Sequence, residues 1–219
     1  MFHVQPLLAS QREHNGSGAC CVIAALVAKC MLQAPVSENN LEALLIELDR
    51  CVAHGSKLWL EMRELRHYHP KEVFDLLPTM FDTLEIVAEI ATSVLGEAVD
   101  GFVQDTQKAL QDWMLRQTQR SSALIITRNG YTFVAFKHMY QFWCVDSHAN
   151  SIAVRTKAFQ KAGFGRVVEG GTGFVANFPL PDSLADFILH YCKAVPVTPE
   201  DATQLYDSNQ VQLVEVAIK

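Results

Sequence analysis

Ser122-Ala123-Leu124-Ile125-Ile126-Thr127-Arg128-Asn129-Gly130-Tyr131-Thr132-Phe133-Val134-Ala135-Phe136-Lys137 is a pair of apolar, β-rich runs joined by Asn-Gly. Both joining residues tolerate the positive φ that a two-residue hairpin turn demands, so the stretch predicts two antiparallel strands. A third run, Gln141-Phe142-Trp143-Cys144-Val145, follows the break at His138-Met139-Tyr140 and predicts a three-strand meander. It ends in Asp146-Ser147-His148. Side chains two apart along a strand share a face, which puts Asp146 and His148 side by side. A carboxylate so placed can fix an imidazole tautomer and stabilise the imidazolium that forms when a thiol gives up its proton. Asp-Ser-His is equally a good turn sequence, and only a nucleophile opposite it decides between the two readings.

Working back toward the start, Leu7 to Ala19 is polar and small, with Gly16-Ser17-Gly18 near its end, and reads as a loop. It gives way to Cys20-Cys21-Val22-Ile23-Ala24-Ala25-Leu26-Val27-Ala28-Lys29-Cys30, an Ala-rich run with one charge and the length of a buried helix. Cys20 and Cys21 both stand at its start, where unpaired backbone N–H groups and the helix dipole favour thiolate over thiol. A small cysteine in such a helix is otherwise a packing residue.

Ser37 is a candidate cap for a second helix carrying Leu41, Leu44, Leu45 and Leu48, closed by His54-Gly55. Leu58, Met62 and Leu65 predict a third helix, and Pro70 to Leu77 a short fourth. Leu84 to Ile90 alternates like a strand, although a helical reading is nearly as good. Thr106 to Leu115 reads as an amphipathic helix. Beyond the meander, Ser151 to Arg155 is a candidate extension of the sheet and Gly163 to Gly173 a glycine-rich turn region. Phe174 to Phe178 then reads as a strand, Pro181 opens a helix with Leu184, Phe187, Ile188 and Tyr191, and Val211 to Ile218 reads as an edge strand. The expected class is α+β, helices first and an antiparallel sheet second.

A chain of 219 residues that is 49% hydrophobic can fill one substantial core, so a single domain over 1–219 is expected. The formal charge of −6 and a sequence pI near 5.7 disfavour a nucleic-acid partner, which needs clustered Lys and Arg. No apolar run reaches the roughly 20 residues that span a bilayer. The opening residues lack the blocks of a secretory signal, and the expectation is a soluble protein of the cytoplasm or nucleus with no membrane contact. The six cysteines form no C-x-x-C pair, so neither a structural zinc site nor any cofactor is expected. Cys30, Cys51, Cys144 and Cys192 read as packing, Trp59, Trp113 and Trp143 as core, and His67-Tyr68-His69 as a surface loop. His138 stands at a turn near the strand that ends in Asp-Ser-His.

Gly18-Ala19-Cys20-Cys21-Val22-Ile23-Ala24-Ala25-Leu26 resembles the Gly-x-Gln-Cys motif and small-residue helix of the deubiquitinating domain of herpesvirus large tegument proteins. The runs Ala123–Ile126, Tyr131–Ala135 and Tyr140–His148 resemble its core strands, the last ending in the same Asp-x-His. Gly173 to Phe178 and the helix Ser183 to Tyr191 are similar to its closing strand and helix, whereas Met31 to Gln111 matches only in helical character.

The resemblance implies a papain-like fold, N-terminal helices packed on a C-terminal antiparallel sheet. It implies a monomeric cysteine isopeptidase acting on the C-terminal tail of ubiquitin or a ubiquitin-like protein such as NEDD8. Its register assigns the nucleophile to Cys21, with His148 as base and Asp146 as orienter. Two positions depart from the pattern. Cys20 stands where the family has Gln, leaving two adjacent thiols, and the upstream oxyanion glutamine is matched by Gln11, which lies nearer the cysteine than the family spacing. Asn15, at the spacing papain uses, competes with it. Another papain-like hydrolase or acyltransferase, or an inactive ubiquitin-binding module, would carry the same residues.

Overall fold

Asn129 and Gly130 adopt φ values of 49° and 74°, the conformation their side chains permit and a hairpin requires. The turn joins β4 (Ser122–Arg128) to β5 (Tyr131–His138), and β6 (Gln141–Asp146) completes the expected meander. A computed structural model describes residues 4–7, 10–11, 13–16, 18–33, 41–62, 64–93, 104–117, 121–138, 141–148, 173–194 and 210–219. The expected cap at Ser37, the sheet extension over 151–155, the glycine-rich turn through 172 and the side chain of His138 lie outside the described residues.

The meander is the centre of an eight-stranded sheet of order β1-β7-β6-β5-β4-β8-β2-β3, with β1 Val4–Pro6, β2 Leu84–Ser93, β3 Gln104–Asp105, β7 Phe174–Phe178 and β8 Gln210–Ile218. Every pairing is antiparallel except the two-residue β2–β3 contact. Leu84 to Ile90 resolves as strand, because β2 pairs along its length with β8.

Strand β8 corrects the expectation of an edge. It lies between β4 and β2, bonded to both, and its central residues are buried. Alternation in a sequence reports a strand's two faces and says nothing of what borders it laterally.

Alternating strand residues feed two separate cores. Ile125, Val134, Val145 and Val214 face one side of the sheet, where they meet α1 (Cys20–Gln33). Ile126, Phe133, Cys144 and Leu213 face the other, where they meet α4 (Thr106–Arg116) and α5 (Pro181–Ala194). The fold is thus mixed helix and antiparallel sheet, as expected. Two details differ from N-terminal helices on a C-terminal sheet: helices cover both faces, and β1, β2 and β3 come from the first half of the chain.

Helix α1 is buried on nearly every side, between the sheet and α2 (Leu41–Glu61) and α3 (Pro70–Leu76). That position explains its lack of charge. Its one ammonium, on Lys29, donates to the Met80 carbonyl at 2.5 Å.

Helix α2 continues through His54-Gly55, where a stop was expected, and absorbs the predicted third helix at Leu58. Gly55 serves close approach instead of termination. A Cβ there would lie 2.6 Å from Ile23 Cγ1 and 3.0 Å from Ile23 Cα, so its absence lets α2 press against α1. No helix among the described residues is long and apolar enough to cross a membrane.

Candidate active site

At the end of β6 the Asp146 carboxylate makes a local and a tertiary set of bonds at once. Its Oδ1 accepts from the His148 backbone N–H at 2.9 Å, the bond of an Asx turn, and contacts His148 Nδ1 at 2.5 Å. The turn of Asp-Ser-His is therefore formed, and the same carboxylate stands against the imidazole. The hydroxyl of Tyr191, from α5 behind the sheet, donates to Asp146 Oδ2. All three residues are buried, and the ring of Tyr131 lies 4.5 Å, centroid to centroid, from the imidazole.

These contacts set the charges. Burial pushes the Asp146 carboxyl up, but the charge and hydrogen bond of His148 and the Tyr191 hydroxyl outweigh it and hold it below the usual range. Burial pushes His148 down, and the neighbouring Asp146 carboxylate reverses this, raising the imidazole to about 10.

Cys20, at the first position of α1, is the thiol on which His148 acts. Its Sγ lies 3.3 Å from the Gly130 carbonyl oxygen of the hairpin turn, to which the protonated thiol donates, and 4.0 Å from His67 Nδ1. Burial pushes the Cys20 thiol up, but hydrogen bonds to His148 and His67, and the charge of both, bring it down to about 6.

His148 thus acts on Cys20, one residue before the Cys21 to which the motif register assigned the nucleophile. Cys21 packs into the core around α1, and burial, followed by the charges of Cys20 and Glu72, pushes its thiol well above the ordinary value. Neighbouring residues on a helix point about 100° apart, so two adjacent thiols cannot both reach one imidazole.

No protein-family model matches the chain, and no curated protein matches its sequence. A solved structure does match. It is the ubiquitin-specific protease encoded by a murine cytomegalovirus tegument protein, in complex with a ubiquitin-based suicide substrate. The TM-score is 0.58, at 10% identity, and the match covers 98% of this chain and 85% of that one. At that identity the similarity is one of fold.

The structure also separates the two amides named as oxyanion candidates. Gln11 is buried against the segment that carries the imidazole: its backbone N–H donates to the Ser147 carbonyl at 3.1 Å, and its Oε1 accepts from Ser147 Oγ at 3.1 Å. Asn15 is exposed, with a φ of 57°, at the outer turn of the loop. The Gln11 carbonyl accepts from His14 and Gly16, folding the loop onto itself ahead of α1.

Three neighbours of the site were not singled out for it from sequence: Tyr131, Tyr191 and His67. The first two sit at ordinary apolar positions of a strand and a helix. His67 belongs to the loop after α2, which is held in place by its neighbours. The Trp59 indole donates to the Arg66 carbonyl at 2.8 Å, the Arg66 guanidinium grips Glu72 through both carboxylate oxygens, and His69 caps α3. His67 and His69, adjacent in the metal-like His-Tyr-His, are thereby committed to different contacts.

Proposed function

We propose that this chain is a cysteine isopeptidase that cleaves after the C-terminal glycine of ubiquitin or a ubiquitin-like protein such as NEDD8. The observation that carries the reading is the convergence of Cys20, His148 and Asp146 at the junction of α1 and β6, on a fold shared with a ubiquitin-specific protease. Cys20 takes the nucleophile's role in place of Cys21.

With the thiol lowered to about 6 and the imidazole raised to about 10, the resting pair at neutral pH is thiolate and imidazolium. Cys20 Sγ attacks the glycine carbonyl, and the oxyanion is held by the Gln11 side-chain amide and the backbone N–H of Cys20. The tetrahedral intermediate expels the lysine amine, which takes its proton from His148, leaving a thioester. A water then gives one proton to His148 and attacks the thioester carbonyl, the sulfur leaves as thiolate, and the glycine carboxyl departs and gives its proton to solvent, so that the thiolate–imidazolium pair is restored. Asp146 holds the ring orientation throughout and stabilises its charge, with Tyr191 steadying the carboxylate. His67 stands exposed beside Cys20, and the acidic balance of the chain suits the arginines of ubiquitin's tail.

The reading is tested with ubiquitin and NEDD8 carrying a C-terminal electrophile. One adduct per chain is expected, placed on Cys20 by peptide mapping. An adduct on Cys21 would move the nucleophile. Reaction with small acyl donors alone would make the chain a different papain-like hydrolase or acyltransferase, and tight ubiquitin binding without an adduct would make it a binding module.

The ion pair predicts two different pH profiles. Alkylation of Cys20 by iodoacetamide needs only the thiolate, so its rate is expected to rise through a midpoint near pH 6 and then stay level. Isopeptide cleavage also needs the imidazolium to protonate the leaving amine, so it is expected to fall again as pH rises through about 10. His67→Ala is expected to move the lower midpoint upward by removing one of the thiolate's two partners. A lower midpoint near the ordinary thiol value in the unaltered protein would overturn the ion pair.

A further inference from the structure

At the opposite end of α1 from Cys20, two helices bring a second group of thiols together. Glu47 and Cys51 are four residues apart on α2 and so share a face, which they present to Cys30 of α1. The Cys30 sulfur, the Cys51 sulfur and a Glu47 carboxylate oxygen all lie within 4.8 Å of one another. Cys30 Sγ is 3.6 Å from Glu47 Oε1, while Glu47 Oε2 takes an exposed ion pair with Arg50 at 3.1 Å.

We propose that Cys30, Glu47 and Cys51 bind a thiophilic divalent cation, zinc or its analogue cadmium, that braces α1 against α2. A tetrahedral zinc ion with Zn–S of about 2.3 Å and Zn–O of about 2.1 Å holds a sulfur and an oxygen donor about 3.6 Å apart, and that is the Cys30–Glu47 separation. A cation bound there displaces the thiol protons to solvent and compensates the charge of both sulfurs. Two thiolates and one carboxylate carry three negative charges, a donor set that favours zinc over the hard, oxygen-seeking magnesium and calcium. Cys30 and Glu47 are half-buried, so an ion can enter from solvent and keep a water as fourth ligand.

The group lies ten positions along α1 from Cys20, about 15 Å at 1.5 Å per residue, so the ion takes no part in thioester chemistry. The spacing 30, 47, 51 contains no C-x-x-C unit, which is why the sequence reads as packing.

The test uses the full chain, reduced, with Cys20→Ala to remove the other thiol that stands beside imidazoles. Titration with cadmium is expected to give one saturating equivalent with the ultraviolet charge-transfer band of thiolate–cadmium bonds, and saturating zinc is expected to raise the melting temperature by mass action. Cys30→Ser should remove most of the band and the thermal shift. Glu47→Gln should weaken binding about tenfold or more, since it removes a charged ligand at a partly exposed position without emptying the core. Absence of a saturable equivalent, or an equivalent of undiminished affinity in Cys30→Ser, would overturn the site. Formation of a Cys30–Cys51 disulfide in air with no metal bound under reduction would overturn it too. None of these outcomes bears on the isopeptidase reading, because the protein used lacks the proposed nucleophile.

Discussion

Cys20→Ala is expected to lose covalent capture of the ubiquitin electrophile and to lower kcat by roughly 10⁴-fold or more, while Cys21→Ala retains both. Two cysteines that differ by one residue make this an unusually sharp comparison, because solvent exposure does not separate them. Both are buried. What separates them is company: Cys20 meets His148, His67 and the Gly130 carbonyl, whereas Cys21 meets the apolar side chains around α1. Under the proposed mechanism, removing the Cys20 sulfur removes the bond-forming atom. Removing the Cys21 sulfur takes one heavy atom from a packed core, a change expected to cost on the order of 1 kcal/mol of stability and to leave the chemistry in place. Melting curves of both variants, run beside single-turnover cleavage of a ubiquitin conjugate, tell the two effects apart. Labelling that survives in Cys20→Ala and vanishes in a folded Cys21→Ala would reverse the assignment.

Asp146→Asn is expected to lower kcat by roughly 10⁴-fold with the fold intact. Asparagine matches the shape of aspartate and can still accept from the His148 backbone N–H, so the turn after β6 survives. The negative charge does not. Without it only Cys20 offsets the desolvation of a buried imidazolium, and His148 shifts back toward the neutral ring that burial favours. The thiolate then loses the charge that stabilises it, so the lower limb of the alkylation profile should move up from near 6 toward the ordinary thiol value. A purely structural carboxylate would leave that midpoint where it is. Full turnover in Asp146→Asn, or an unmoved midpoint, would remove Asp146 from the site.

Much of the site's scaffold was legible because it is written in local rules. Asn129-Gly130 requires only that two adjacent residues accept positive φ, and Asp146 with His148 requires only the two-residue period of a strand. The burial of α1 follows from a run of small apolar residues with one charge. What escaped is tertiary. Gly55 reads as a helix stop until the backbone of Ile23 is seen beside it. The choice between Cys20 and Cys21 turns on a rotation of about 100° about a helix axis, which motif register alone does not resolve. Tyr191 reaches Asp146 from the far face of the sheet, and His67 reaches Cys20 from a loop that Arg66, Trp59 and Glu72 hold in place. No spacing rule connects such residues.

The lateral position of β8 bears on how this protein is made. Its two partners, β4 and β2, are translated long before it, so a growing chain on the ribosome carries a gap in the middle of its sheet with two bare backbone edges lining it. Bare edges recruit foreign strands, and closing them by a contact so distant along the polypeptide is slow. Closure of the sheet therefore depends on β8 pairing with both edges before a foreign strand occupies either of them.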